Sequence, residues 1–249
     1  MKVLAVETAT RRQSVAILDG TKVLARSDED AQGAHARRLV PTIDRLLAQT
    51  GVALAGLDGL AVSIGPGSFT GLRVGLATMM GFRTVADLPL ATVPTLEAMA
   101  WNHREVGRIV CPILQARTGE VYWALYRWTS DTVLIRVAEE RAGTIRALGE
   151  SITDSTLVLG EGWEGNKDEL QLVLGERMVK VEAAPPEAMA VSAVSVGLAG
   201  LERLTRGERA GQGVAPLYVQ RAEAEVAWER RAPALASVQG RGEDSHGRS

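Results

Sequence analysis

The chain has 249 residues, 46% hydrophobic and 23% charged, with a net charge of −2 and a pI near 6.0. This is enough apolar material for one large domain or two lobes with real cores, and the near-neutral balance excludes a global field that would draw the chain onto phosphate-rich polymers. Mean hydropathy is +0.02 and Arg, Lys or Asp interrupts every apolar stretch, so nothing approaches the roughly 20 residues of a membrane span. The first apolar segment, residues 3–6, stops at Glu7 and is too short for a signal-peptide core. A soluble, cytoplasmic protein with no membrane contact is expected.

Residues 3–6 and 14–18 are apolar, β-branched strand signals separated by a polar turn, and residues 23–26 follow the Asp19-Gly20 turn, which predicts an antiparallel meander. From Ala34 the spacing becomes helical, with Leu39, Ile43, Leu46 and Leu47 on one face and Arg37, Arg38, Asp44 and Arg45 elsewhere. Pro41 is expected to kink this helix or mark its start. A strand over 60–64, the turn Gly65-Pro66-Gly67, a helix over 69–86, a strand over 90–93 and a helix from Pro94 to Trp101 follow.

The same order then recurs. Strands are predicted over 108–114, 121–128, 133–139 and 157–159, a glycine turn at Gly160-Glu161-Gly162, a helix over 166–174, a strand over 178–181 and a helix over 186–204. A β-β-β-α-β-α-β-α order used twice gives an α/β fold of two duplicated lobes facing a cleft, as in the actin, sugar-kinase and heat-shock-ATPase superfamily. The expected boundaries are an N-terminal lobe at 1–105, a C-terminal lobe at 106–215, a C-terminal segment at 216–231 and a tail at 232–249. The tail has no periodicity and is expected to be disordered. The single cysteine, Cys111, lies in an apolar run and reads as a small buried hydrophobe.

Residues 65–75, Gly-Pro-Gly-Ser-Phe-Thr-Gly-Leu-Arg-Val-Gly, are the most informative stretch. A strand ending in two glycines and opening a helix is either an anion cradle or simple turn geometry. In the helix that follows, Gly71, Gly75 and Gly81 each cost roughly 1 kcal/mol relative to Ala. Gly71, Gly75, Thr78 and Phe82 share a face, a small-residue groove for another helix. That helix is either the chain's own 34–49 segment or a partner's, and both readings stand.

This stretch, the Glu7-Thr8-Ala9 hairpin and the helix beginning His35-Ala36-Arg37-Arg38-Leu39 together resemble the TsaB family, also called YeaZ. The resemblance extends through Pro94-Thr95-Leu96, residues 116–123, Gly160-Glu161-Gly162-Trp163 and residues 216–221, about residues 1–230 in all. It implies a two-lobed, non-catalytic scaffold or dimerisation subunit of the machinery that makes N6-threonylcarbamoyladenosine next to the tRNA anticodon. The implied partners are a TsaD-type transferase and a TsaE-type small ATPase. The tRNA is reached indirectly through the complex, and the chain forms a homodimer when the transferase is absent. The interface implied on the first-lobe helices comprises His35, Arg38, Leu39, Thr42, Gly71, Gly75, Thr78 and Phe82.

In the wider superfamily, acidic residues at the two hairpins hold metal and orient phosphate. Where the family has Asp-Thr-Ala this chain has Glu7-Thr8-Ala9, and where it has Asp-Ala-Arg this chain has Gln115-Ala116-Arg117. Both changes impair a Mg²⁺-nucleotide site. The vestigial nucleotide cleft would comprise Glu7, Thr8, Gly65, Gly67, Ser68, Gln115, Arg117, Gly160 and Gly162, and no cofactor is expected, with ATP or ADP the one candidate. The three histidines, His35, His103 and His246, form no i, i+4 metal pair. His35 reads as a partner-contact or surface residue rather than a base. Ser68 lacks a nucleophile elbow and an activating His and Asp, which argues against a protease. Tyr122 and Trp123 read as core. The competing functions are an independent ATP-dependent phosphotransferase or ATPase and a free-standing tRNA-binding module.

Overall fold

The computed structural model describes residues 1–31 and 33–219. The tail at 232–249, most of the segment at 216–231 and His246 lie outside the described residues.

The meander forms as β1 (Lys2–Glu7), β2 (Arg12–Asp19) and β3 (Lys22–Asp30), followed by α1 (His35–Thr50), β4 (Gly59–Ser63), α2 (Phe69–Ala86), β5 (Leu90–Val93) and α3 (Thr95–Ala100). The second half repeats it: β6 (Ile109–Gln115), β7 (Val121–Trp128), β8 (Leu134–Gly143), α4 (Ile145–Ser151), β9 (Thr156–Leu159), α5 (Glu161–Glu164), α6 (Lys167–Gly175), β10 (Val181–Ala183) and α7 (Ala193–Thr205). The sheets have matching orders, β3-β2-β1-β4-β5 and β8-β7-β6-β9-β10. In each, the first three strands pair antiparallel and the last three parallel.

Three cores separate the layers. Leu39, Ile43 and Leu46 of α1 and Leu76 and Met79 of α2 pack on Leu4, Val6 and Leu60 of the first sheet. Ile145, Leu148 and Leu170 of α4 and α6 pack on Cys111, Ile113 and Val158 of the second. Between the sheets, one continuous core joins Val3 and Ala5 to Val110 and Tyr126 through α3 and α7.

That middle layer corrects the lobe boundaries. Helix α7, assigned to the second lobe by chain order, packs on β1, β2, β4 and β5 of the first sheet, whereas α3, at the end of the first half, packs on β6 and β7 of the second. Gly197 and Gly200 make this possible: a Cβ at 197 would meet Leu18 at 2.5 Å, so α7 lies directly on the strands. The Ala193 N–H also donates to Ser14 Oγ at 2.7 Å, tying the start of α7 to β2. The two halves are therefore interleaved.

Local differences have local causes. Pro41 does not start α1; it lies inside the helix on the exposed face. Helix α4 was not foreseen, and Thr144, whose hydroxyl accepts from the Ala147 N–H, caps it. The helix expected over 186–204 is a 3-10 turn at Pro186–Ala188 followed by α7, whose start is fixed by a capping box between Ser192 and Ser195. Cys111 is fully buried and burial pushes its thiol upward.

Candidate functional site

The β1–β2 hairpin tip organises the first lobe. Glu7 ends β1 with no exposed surface. Its carboxyl accepts the Ala9 N–H at 2.5 Å and the Thr10 hydroxyl at 3.3 Å. Burial raises its pKa to about 8 against the opposing pull of these hydrogen bonds, and the charge of Glu161 adds to the rise. Glu7 is a buried, desolvated carboxyl that braces the hairpin tip.

The turn 65–68 folds over this tip. The Ser68 N–H donates to the Ala9 carbonyl at 2.6 Å, and Ser68 Oγ accepts the Gly71 N–H at 3.2 Å as the N-cap of α2. Gly67, at φ +154°, lies against Ala9, and Gly65, at φ +114°, would place a Cβ 2.6 Å from the Leu217 carbonyl. The Leu217 N–H donates to Ile64, Tyr218 stacks on Phe69 at 5.1 Å, and Arg73 donates to the Tyr218 hydroxyl at 3.0 Å. The glycines serve close approach by the chain's own backbone on both sides, which closes the turn as an anion cradle.

The small-residue groove on α2 is filled in the same way. A Cβ on Gly71 would overlap the Thr8 carbonyl and one on Gly75 the Thr8 hydroxyl. At these two glycines the neighbour is the Thr8 hairpin rather than a helix. The implied interface needs correction accordingly: Gly71, Gly75, Leu39, Thr42 and His35 are buried inside the chain. The His35 ring is hydrogen-bonded to the Thr10 backbone and its Nδ1 is buried without a partner; burial lowers its pKa, so it holds the hairpin as a neutral imidazole. Arg38 is exposed, and Thr78 and Phe82 are half-buried.

The outer face left to solvent is different. On α2 it carries Thr70, Arg73, Ala77, Gly81, Thr84 and Val85, and on α1 Arg37, Arg38, Val40 and Pro41. Val85 is 83% and Val40 49% exposed. Gly81 has open space where its Cβ would be, so nothing inside the chain requires a glycine there. Sequence reasoning noted Gly81 as a costly helix glycine without placing it on this face and missed Ala77 and Val85, although a strict 3–4 residue count from Thr70 finds all three.

In the second lobe, Gln115 closes the β6–β7 turn. Its Nε2 donates to the carbonyls of Arg117 and Glu120 at 3.1 and 3.0 Å, and its Oε1 accepts from Asn166 at 3.4 Å. A carboxylate, having no donor, could not make the first two contacts. A Cβ on Gly160 would overlap the Ile113 carbonyl and one on Gly162 would meet Ile113 Cγ2 at 2.7 Å. This glycine turn also packs tightly on its own strand.

The two clusters flank a cleft of about 250 Å³ lined by Thr10, Arg12, Leu114, Gly160, Glu161, Glu164, Met189 and Val191. Its walls are chiefly carbon, its charged groups are two carboxylates and one guanidinium, and the cleft walls hold the Glu161 carboxyl above the usual range. Both glycine turns beside it are packed by the chain's own backbone, and its two carboxylates face one guanidinium. Glu161, Glu164, Arg12 and Met189 were not singled out from the sequence, since chain distance hid their convergence.

A family model described as TsaD: tRNA N6-adenosine threonylcarbamoyltransferase matches residues 27–228. The tRNA threonylcarbamoyladenosine biosynthesis protein TsaB of Escherichia coli K12 is 32% identical over 193 residues, covering 74% of this chain and 83% of that protein. The chain belongs to the TsaB family. The TsaB of Haemophilus influenzae is 28% identical over 246 residues, covering 92% of this chain and 97% of that protein. The solved structure of YeaZ from Pseudomonas aeruginosa superposes with a TM-score of 0.71 at 28% identity, covering 87% of this chain and 99% of that one. A ROK hexokinase from Thermus thermophilus, at 12% identity and a TM-score of 0.51 over 83% of this chain and 100% of that one, shares the fold alone.

Proposed function

We propose that this chain is a cytoplasmic, non-catalytic subunit of tRNA threonylcarbamoyladenosine biosynthesis that pairs with and supports a TsaD-type transferase. The observation that carries the reading is the match, over nearly the whole chain, to proteins named for that biosynthesis. Three features of the residues support the accessory role. Glu7 is buried and protonated over much of the neutral range, Ser68 is spent as a helix cap, and His35 is enclosed as a hydrogen-bonded prop. Nucleotide plays no part in the role proposed, which agrees with the cleft's carboxylates and closed glycine turns.

The pairing surface is the outer face of α1 and α2, where Arg38, Val40, Ala77, Thr78, Gly81, Phe82 and Val85 are available to differing degrees. Gly81 lets a partner helix approach to backbone distance, which accounts for a helix-interior glycine that the chain's own packing does not need. When the transferase is absent, the same face pairs two copies of the chain. The tRNA and the TsaE-type ATPase are reached through the complex, in keeping with the net charge of −2.

Titration of the transferase subunit into this chain by calorimetry tests the reading. Wild-type chain is expected to bind tightly, and Gly81→Leu to weaken binding by more than tenfold without lowering the melting temperature. Equal affinity for both would remove α2 from the interface, and no binding by wild type would remove the pairing itself.

A further inference from the structure

Away from both the cleft and the α1–α2 face, a cavity of about 260 Å³ opens where the two interleaved halves meet, walled by Trp101, Arg104, Leu198, Leu201 and Thr205 together with the ion-paired Glu202 and Arg206. Thr21 from the β2–β3 turn and Thr132 from the β7–β8 turn close its rim. The floor is carbon: Trp101 is 9% exposed and meets Trp128 edge-on at 5.0 Å.

The charge at its mouth is not neutralised. Arg104 lies over the rings of Trp101 and Trp128, 5.0 and 5.2 Å from their centroids. Its guanidinium donates to the Asp131 carbonyl at 3.0 Å and has no ion pair among the described residues. The neighbouring arginines differ. Arg206 pairs with Glu202, Arg203 with Glu97 and Glu208, and Arg136 with Glu139 and Glu140. Arg104 thus presents spare N–H donors, in a planar fork fixed by two indoles, to an apolar cavity carrying one net positive charge.

We propose that this cavity is a binding site for a small apolar monocarboxylate, whose carboxylate pairs with Arg104 and whose body rests on Trp101, Leu198 and Leu201. Charge-assisted pairing with a guanidinium selects an anion over an amine or an alcohol of the same shape. A cavity of about 150 Å³ accepts a benzene ring, so this one holds a ring with a short carboxylate arm. The occupant would brace α7, the helix that fastens the second half of the chain to the first sheet. The inference is independent of the proposed partner role.

Calorimetric titration of the full chain with 3-phenylpropionate tests it, with 3-phenylpropan-1-ol and 3-phenylpropylamine as matched neutral and cationic probes. Saturable binding of the carboxylate is expected, at least tenfold tighter than the alcohol and with no binding of the amine. Arg104→Gln, at an exposed position, is expected to abolish that preference while its melting temperature stays near that of wild type. Leu198→Trp, which fills the cavity and leaves Arg104 in place, is expected to abolish binding. Failure of the carboxylate to saturate, equal affinity for the alcohol, or undiminished binding by Arg104→Gln would each overturn the proposal.

Discussion

The Thr8 hydroxyl occupies the space a methyl group on residue 75 would need, so the tip of the first hairpin and the second turn of α2 are built as one piece. The hydroxyl is buried and has no hydrogen-bond partner among the described residues. Gly75→Ala is expected to cost about 1–3 kcal/mol, the usual range for forced overpacking. Thr8→Ala removes the obstructing atom and should restore most of that loss in the double variant. Denaturant melts of the two single variants and the double variant measure the coupling; strictly additive losses would show that the two residues do not meet.

Glu7 makes stability pH-dependent. Its folded-state pKa is raised from 4.5 to about 8, so the folded chain keeps a proton that the unfolded chain releases. The contribution is intact below about pH 4.5, is lost progressively as pH rises to about 8, and is constant above that. At pH 7 the difference is about 3 kcal/mol. Glu7→Gln keeps the acceptor for the Ala9 N–H without the ionisation. It is expected to melt about 6–12 °C above wild type at pH 7 and to match it near pH 4.5. Thermal melts across pH 4.5–8.5 check this, and parallel curves would mean that Glu7 is not desolvated.

Gly81 should behave oppositely to Gly75. With open space at its Cβ, Gly81→Ala is expected to stabilise the isolated chain by about 0.5–1 kcal/mol through helix propensity. Chemical denaturation of the free chain reads this directly. Destabilisation would show an internal role for the glycine and undercut its place on the pairing face.

Restoring the superfamily aspartate should not restore a nucleotide site. Gln115→Asp loses the two solvent-exposed hydrogen bonds donated to Arg117 and Glu120 and turns a carboxylate toward their carbonyls, at a cost of about 1 kcal/mol. The variant is expected to unfold at lower denaturant and to show no Mg²⁺-ATP binding by calorimetry. Gain of binding would mean that the Gln115 side chain alone had closed the cleft.

The sequence was legible where local rules act alone. The apolar, β-branched run at residues 14–18 and the glycines at 65 and 67 located β2 and the turn into α2 correctly, and the repeated element order matches two sheets of the same strand order. What it hid was which side each element packs on. Nothing local in residues 193–205 reveals that α7 crosses to the first sheet, because that depends on Gly197 meeting Leu18 and Gly200 meeting Ala61, both remote in the chain. The Gly71–Gly75 groove was read as a docking surface for the same reason: its occupant, Thr8, is remote in sequence. Helix α4 escaped because its seven residues, with only Ile145, Leu148 and Gly149 buried, are too few to show a period. Glu161, Glu164 and Arg12 come together only through the tertiary fold.

The most direct measurement is reconstitution of threonylcarbamoyladenosine formation from tRNA, threonylcarbamoyl-adenylate, a TsaD-type transferase and a TsaE-type ATPase, with the modified nucleoside quantified by mass spectrometry. Product is expected only when this chain is present with the transferase, none from the chain alone, and undiminished product with Glu7→Gln. Full product without the chain, or product from the chain alone, would contradict an accessory role.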